Sequence, residues 1–285
     1  MKKTLYKPHR VAITVAPNGG RRTKADHPSI PLGPEELART AAECLAAGAA
    51  MIHVHVRRPD GRHLLDADAY GDAIDAIRTE VGDRMVIQIT TEALGIYTPA
   101  EQIAVLKSVR PEAASLALRE IVPDSAAEPA FAEALSWMAR EHVSPQIILY
   151  DPSEAGRLAE MIQRGLVPWP DIPILYVLGR YTATQTSCPT DLLQFLAPGT
   201  PRFSNWSVCA FGHHEAACVT AAALLGGHVR VGFENNLLLP DGNRAASNAD
   251  LVTGIVNSMR GLGYNLCDAD ELRQRHSEMS PQVRP

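Results

Sequence analysis

The chain lacks any apolar run approaching the about 18 residues that a membrane-spanning helix needs, so no membrane partner is expected. It also lacks a basic excess. Its 27 Lys and Arg face 32 Asp and Glu, for a net charge of −5, and a pI near 6.1 argues against nucleic acid as a partner. Cysteine is scarce: Cys44, Cys188, Cys209, Cys218 and Cys267 are scattered, odd in number and without a CxxC pair. That excludes a disulfide framework or a thiolate metal cage and fits reduced thiols in a cytoplasm. The basic start, Met1 to Arg10, has no apolar stretch behind it, so no signal peptide is expected. Walker and dinucleotide fingerprints, internal repeats, low-complexity segments and linkers are missing as well. What remains, 46% apolar and 21% charged over 285 residues, is the composition of an ordinary soluble globular enzyme.

What is present is alternation. Short β-rich runs at 10–17, 51–57, 84–91, 113–118, 145–150, 172–179, 203–210 and 228–234 are separated by amphipathic helical patterns. The helices are expected near 34–47, 66–80, 99–109, 125–141, 152–165, 188–197, 213–225 and 246–262, with a short tail helix over 269–277. Eight such units predict a parallel sheet with right-handed crossovers. At this length the expected fold is a closed α/β (β/α)8 TIM barrel, a single domain over 1–285 with a short C-terminal helical extension. A doubly wound open sheet is the alternative. In a barrel, polar residues at the carboxyl ends of strands face the active site.

The segment Met51-Ile52-His53-Val54-His55-Val56-Arg57 alternates with period two. His53, His55 and Arg57 share one strand face, and residues two apart lie roughly 6.6 Å from each other, close enough for two imidazoles to hold one cation. The plainer account is a pair of half-buried histidines. Strand eight, His228 to Glu234, carries Arg230, Gly232 and Glu234 on its inward face. Strands one, two and eight neighbour one another in a closed barrel, so Glu234 becomes a third metal ligand. Two histidines and a carboxylate suit a catalytic divalent metal, zinc first, with non-haem iron or manganese also compatible. An ion pair of Glu234 with Arg57 or Arg230 is the competing account. Arg230, about 13 Å below Glu234 along an ideal strand, is expected to reach up and hold a substrate carboxylate, or else to be a paired core arginine. Gly232 is expected to leave an empty patch for substrate. Thr90 and Thr91 end strand three and offer hydroxyls. The glycine-rich basic loop from Asn18 to Pro28 reads as a cationic lid or a solvated surface loop.

Together the segments 23–62, 87–91, 226–237 and 247–252 resemble the β-keto acid cleavage enzymes, the family that includes 3-keto-5-aminohexanoate cleavage enzyme. The resemblance runs nearly end to end. It implies a zinc-bearing barrel, usually a homotetramer, that condenses a β-keto acid with acetyl-CoA to give acetoacetate and a new acyl-CoA. It also implies that His53, His55 and Glu234 hold zinc, that Arg230 orients substrate and that Thr90 stands for an active-site serine. Three positions depart from the pattern. Asn235 replaces the aspartate that serves as general base, and an amide cannot take a proton at neutral pH. Glu120 and Glu92 are the candidate replacements. The Pro-Glu-x-Glu segment of members that bind an aminated substrate reads Pro145-Gln146-Ile147-Ile148, so 3-keto-5-aminohexanoate is expected to be a poor substrate. Arg119 is expected to face inward and to recognise a second carboxylate, as in a 3-oxo dicarboxylic acid. A metal-dependent hydrolase on the same barrel, for which no obvious extra ligands appear although His213 and His214 follow strand seven, and a non-catalytic scaffold that binds metal and keto acid are the competing functions.

Overall fold

The computed structural model describes residues 9–279 and 281. Eight parallel strands close on themselves: β1 (Ile13–Val15), β2 (Met51–Val54), β3 (Val86–Thr90), β4 (Ala113–Ala117), β5 (Ser144–Leu149), β6 (Ile174–Leu178), β7 (Trp206–Ala210) and β8 (His228–Val231), with β8 pairing back onto β1. The expected barrel is therefore the observed one. Around it run α1 (Pro34–Ala47), α2 (Ala67–Val81), α3 (Pro99–Val109), α4 (Glu128–Arg140), α5 (Pro152–Gln163), α6 (Glu215–Leu224) and α7 (Asn248–Gly261). The strands are buried, apart from the half-exposed Ser144 and Gln146 of β5, because helices cover them outside and side chains fill them inside.

Local chemistry sets the helix boundaries. Pro34 opens α1, and the Glu36 carboxylate accepts from the Leu32 and Gly33 amides ahead of it. Thr98 and Glu101 close a reciprocal cap on α3. The tail helix α8 (Ala269–Glu278) lies across the amino-terminal floor, where Ala269 and Leu272 pack on Ala12, Ala50, Met51, Val86 and Ala113.

Four departures from expectation bear on the site and its surroundings. The helix expected over 188–197 is a short 3-10 helix, Pro189–Gln194. Barrel strand two stops at Val54, and Val56–Arg57 pairs instead with His63–Leu64 as a separate two-stranded ribbon. Strand eight stops at Val231 because Gly232 turns the chain at φ +142. Beyond Ala117 the chain enters a single helical turn, Leu118–Ile121.

Candidate metal and substrate site at the barrel mouth

His53 ends up on β2 facing into the barrel, 1% exposed. His55 follows outside the strand, yet its place is fixed. The Asn18 side chain accepts from the His55 N–H at 3.4 Å and donates to its carbonyl at 2.8 Å, acting as a substitute strand partner. Arg57 leaves the face of the histidines. Its guanidinium donates to carbonyls of Asn18, Gly19, Arg22 and Gly61, clamping the first loop. That loop is therefore neither a free lid nor simply solvated. Gly19, at φ +60, presses so closely on Glu234 that a Cβ there would meet its Cγ at 2.6 Å.

Glu234 reaches the histidines by a turn, not along a strand. A Cβ at Gly232 would stand 2.3 Å from the Ala16 carbonyl. The glycine therefore permits close backbone approach and is not an empty substrate patch. The turn is held by the Glu234 N–H donating to Ala16 O at 3.1 Å, the Gly232 N–H donating to Glu215 at 3.2 Å and the Phe233 N–H donating to Asn248 at 2.8 Å. It also brings Glu234 down to Arg230, whose Nη2 donates to Oε1 at 2.9 Å. The expected ion pair and the expected ligand are thus the same carboxylate, each using a different oxygen.

Three atoms converge. His53 Nε2 and His55 Nε2 are 3.1 Å apart, and Glu234 Oε2 lies 3.7 Å from the first and 3.5 Å from the second. Metal–donor bonds of about 2.0–2.2 Å at tetrahedral angles place neighbouring donors roughly 3.3–3.6 Å apart, so the triangle has the size of one face of a divalent-metal site. Glu234 Oε2 is buried without a hydrogen-bond partner, which a bound cation would remedy. His53 Nδ1 lies 2.8 Å from Gln88 Oε1, and Gln88 Nε2 donates to Gln146 at 3.2 Å. The chain Gln146–Gln88–His53 fixes the tautomer that points an Nε2 lone pair at the site. Burial and the Arg230 charge hold the His53 imidazole well below its ordinary range, in the neutral form that a metal requires. Burial alone would push the Glu234 carboxyl up, but Arg230, His55 and His53 outweigh it and keep it ionised. Among the described residues this is the one group of His, Cys, Asp and Glu with metal-ligand geometry. The His213 and His214 rings touch at a tilt, with centroids 3.8 Å apart and planes at 51°, and His214 Nδ1 lies 3.0 Å from the Ser187 carbonyl. Neither joins the group.

The cavity above these atoms is lined on its polar side by Thr90, Glu92, Arg180 and Arg230. Its apolar wall is Ala117, Ile148, Tyr150, Val177 and Phe211. Arg230 is 3% exposed, and its Nε and Nη1 have no partner. Thr90 Oγ1 accepts from the Glu92 N–H at 3.0 Å and keeps its own proton to donate, whereas Thr91 donates to Ser115 O. A second cavity, walled by the first loop from Asn18 to Arg22 and by Gln185, adjoins the first. Glu92, Arg180, Phe211 and Glu234 line both.

Other expected residues sit elsewhere. Arg119 lies on the Leu118–Ile121 turn, pairs with Glu154 at 2.6 Å and Asp151 at 3.0 Å, and lines neither cavity. The alternation that aimed it inward ends with β4. Glu120 accepts from the Ala93 N–H at 2.8 Å, and burial raises its pKa. It too is absent from the cavity walls. Asn235 is wholly buried with both amide atoms unpartnered and is not on either wall. Of the segment from Pro145 to Ile148, only Ile148 lines the cavity. Arg180, Tyr150 and Gln88 escaped the sequence reading. Arg180 was detectable, since it immediately follows a predicted strand at the carboxyl end, where polar residues face the site.

Fold and site define a (β/α)8-barrel protein with a two-histidine, one-carboxylate mouth and a buried arginine beside it. The chain matches the model of the beta-keto acid cleavage enzyme family over residues 10–276 and belongs to that family. It is 31% identical to the 3-keto-5-aminohexanoate cleavage enzyme of Fusobacterium nucleatum subsp. nucleatum, covering 93% of this chain and 97% of the relative. It is 28% identical to the 3-dehydrocarnitine:acetyl-CoA trimethylamine transferase of Rhizobium meliloti, covering 93% and 95%. The solved binary complex of ObcA with oxaloacetate shares the fold with a TM-score of 0.69 at 17% identity, over 88% of this chain and 67% of that one. The expected family and its enzyme class are thereby borne out.

Proposed function

We propose that this chain condenses a β-keto acid with acetyl-CoA, giving acetoacetate and a new acyl-CoA, with one zinc ion held by His53, His55 and Glu234. The observation that carries the reading is the convergence of His53 Nε2, His55 Nε2 and Glu234 Oε2 beside two unpartnered N–H groups of Arg230. When bound, the metal supplies Lewis acidity to the substrate's 3-keto oxygen. Arg230 Nε and Nη1 take the C1 carboxylate in a charge-assisted pair. Thr90 donates its hydroxyl to the same end of the substrate. Glu92 removes a C2 proton, since it is the cavity carboxylate other than the ligand Glu234. The C2 carbanion then bonds to the acetyl carbon and coenzyme A leaves as thiolate. That thiolate adds to C3, the C2–C3 bond breaks, and the proton on Glu92 returns to C2 of the departing acetoacetate. Atoms and charge balance without an external reductant or oxidant.

The apolar Ile148 gives a substrate ammonium no counter-ion from β5, so the aminated 3-keto-5-aminohexanoate is placed among the poor substrates. A cytoplasmic homotetramer is the proposed setting. All five cysteines are free and four are buried, and Leu193, Leu224 and Leu225 expose apolar surface suited to subunit contact. No helix among the described residues is long and apolar enough to cross a membrane.

The test is to quantify bound metal, then incubate the protein with a panel of β-keto acids, with and without acetyl-CoA. Acetoacetate and acyl-CoA formed only with acetyl-CoA, abolished by chelation and restored by zinc, is the expected result. Cleavage without coenzyme A indicates a hydrolase. Metal and keto-acid binding with no product across the panel indicates a scaffold. Turnover of the aminated compound at the rate of the best alternative overturns the placement of Ile148 as discriminating.

A further inference from the structure

Arg180 has no task in the reaction just described, yet its environment is built. Gly179, at φ +78, turns the chain as it leaves β6 and aims the next side chain over the cavity. The Arg180 side chain is only 10% exposed and none of its N–H groups has a hydrogen-bond acceptor among the described residues. The nearest carboxylate oxygen, Glu92 Oε1, stands at 3.7 Å, beyond hydrogen-bond reach. Phe211 lies under the guanidinium at 5.2 Å to the ring centre and Tyr181 at 5.8 Å, so aromatic faces fix its plane. A nearly buried cation with its donors unused calls for an acceptor brought by a ligand.

Its position says which part of the ligand. Arg230 is on β8 and Arg180 follows β6, with one strand between them. The sheet register sets Arg230 level with Val177, and Arg180 comes three residues later, so their backbones are separated by roughly 10 Å across two strand spacings and roughly 10 Å along the strand direction. The two guanidinium groups thus line one cavity from different strands and different heights. With C1 at Arg230 and the keto group at His53, His55 and Glu234, the rest of the substrate runs along Ala117, Ile148 and Val177 and ends at Arg180. Charge agrees. Glu234 offsets Arg230 and Glu92 offsets Arg180, which leaves the two charges of the proposed metal for a dianion to neutralise.

We propose that Arg180 binds a second carboxylate at the far end of the substrate, making a 3-oxo dicarboxylic acid the preferred class. The proposal rests on the β-keto acid reading of the same site and moves the expected second cation from Arg119 to Arg180. Two alternatives give different signatures. If Arg180 only orients Glu92, its loss slows every keto acid alike. If it serves the thioester from the adjoining cavity, its loss raises KM for acetyl-CoA alone.

The experiment compares wild type, Arg180→Lys and Arg180→Gln on a 3-oxo dicarboxylate and on the 3-oxo monocarboxylate of the same length. Binding of unreactive adipate and hexanoate is followed by calorimetry in parallel. Wild type is expected to prefer the dicarboxylate. Arg180→Gln is expected to lower the dicarboxylate-to-monocarboxylate ratio of kcat/KM by roughly 10- to 150-fold, the range for a lost hydrogen bond to a charged group. Adipate affinity should fall in step, and Arg180→Lys should recover part of both. An unchanged ratio in Arg180→Gln, or adipate bound no better than hexanoate by wild type, overturns the proposal. Acetyl-CoA-dependent turnover confined to monocarboxylates overturns it while leaving the function standing. No acetyl-CoA-dependent turnover of any keto acid removes the function beneath it.

Discussion

At the scale of single residues, the proton-transfer half of the site turns on Glu92 and Asn235. Glu92 Oε2 lies 3.7 Å from His55 Nδ1, which has no hydrogen-bond partner. A carboxylate in that place can act as base or can steady the imidazole behind a metal. Glu92→Gln separates the two roles. If Glu92 is the base, the variant keeps its metal content and substrate KM within a few-fold, while kcat and the exchange of C2 protons with deuterated water fall by about 10²–10⁴. Adding Asn235→Asp to that variant should recover little, because the Asn235 side chain is buried away from both cavities. Full exchange in Glu92→Gln would refute the assignment. Metal loss instead marks a supporting role.

At the scale of elements, the site is delivered by two interruptions of regular structure, and these were the least legible features of the sequence. Period-two alternation located all eight strands and placed His53 facing inward. It also assigned Glu234 to the correct end of β8. It could not show that β8 stops at Val231, because the reason lies across the barrel, where Ala16 O excludes a Cβ at Gly232. Extending the same alternation past Ala117 put Arg119 in the cavity, whereas a switch to helical period carries it out to Asp151 and Glu154. Gly232→Ala therefore tests an element. It combines unfavourable φ with a steric clash and is expected to cost about 2–4 kcal/mol and to weaken metal binding by shifting Glu234. Gly242→Ala is the control, since its φ of +86 is also left-handed but a Cβ there meets nothing within 4 Å. It should cost about 1 kcal/mol and leave metal affinity unchanged. Equal loss of affinity in both, by denaturant titration and metal competition, would remove the turn from its role as ligand carrier.

At the scale of the whole molecule, buried titratable groups at the floor, core and mouth set an opposing pH balance. Burial pushes His228 down to about 3 and His63 down to about 4, and holds His53 well below its ordinary range. Each stays neutral in the fold while the unfolded imidazole takes a proton below about 6.5. Their stabilisation is therefore complete above about 6.5 and is lost as pH falls toward the folded values. Glu215, buried under the turn that carries Glu234, has the opposite sign. Burial raises it to about 8 against hydrogen bonds from Asn236 and Gly232, so its contribution is full below the ordinary carboxylate range near 4.3 and fades as pH rises through about 8. The lowered imidazoles, which also include His27 and, pushed down to about 4, His276, outweigh the raised carboxyls Glu215 and Glu120 below neutrality, and Glu215 sets the slope between about 6.5 and 8. Metal-free protein in chelator should then be most stable near pH 6.5–7, with a steep acid limb and a shallow decline toward pH 8. Glu215→Gln should flatten the alkaline limb and leave the acid limb in place. Denaturant unfolding of the wild type that still gains stability from pH 7 to 8 would contradict the buried neutral Glu215. Zinc added at pH 7 should raise stability as RT ln(1 + [Zn]/Kd).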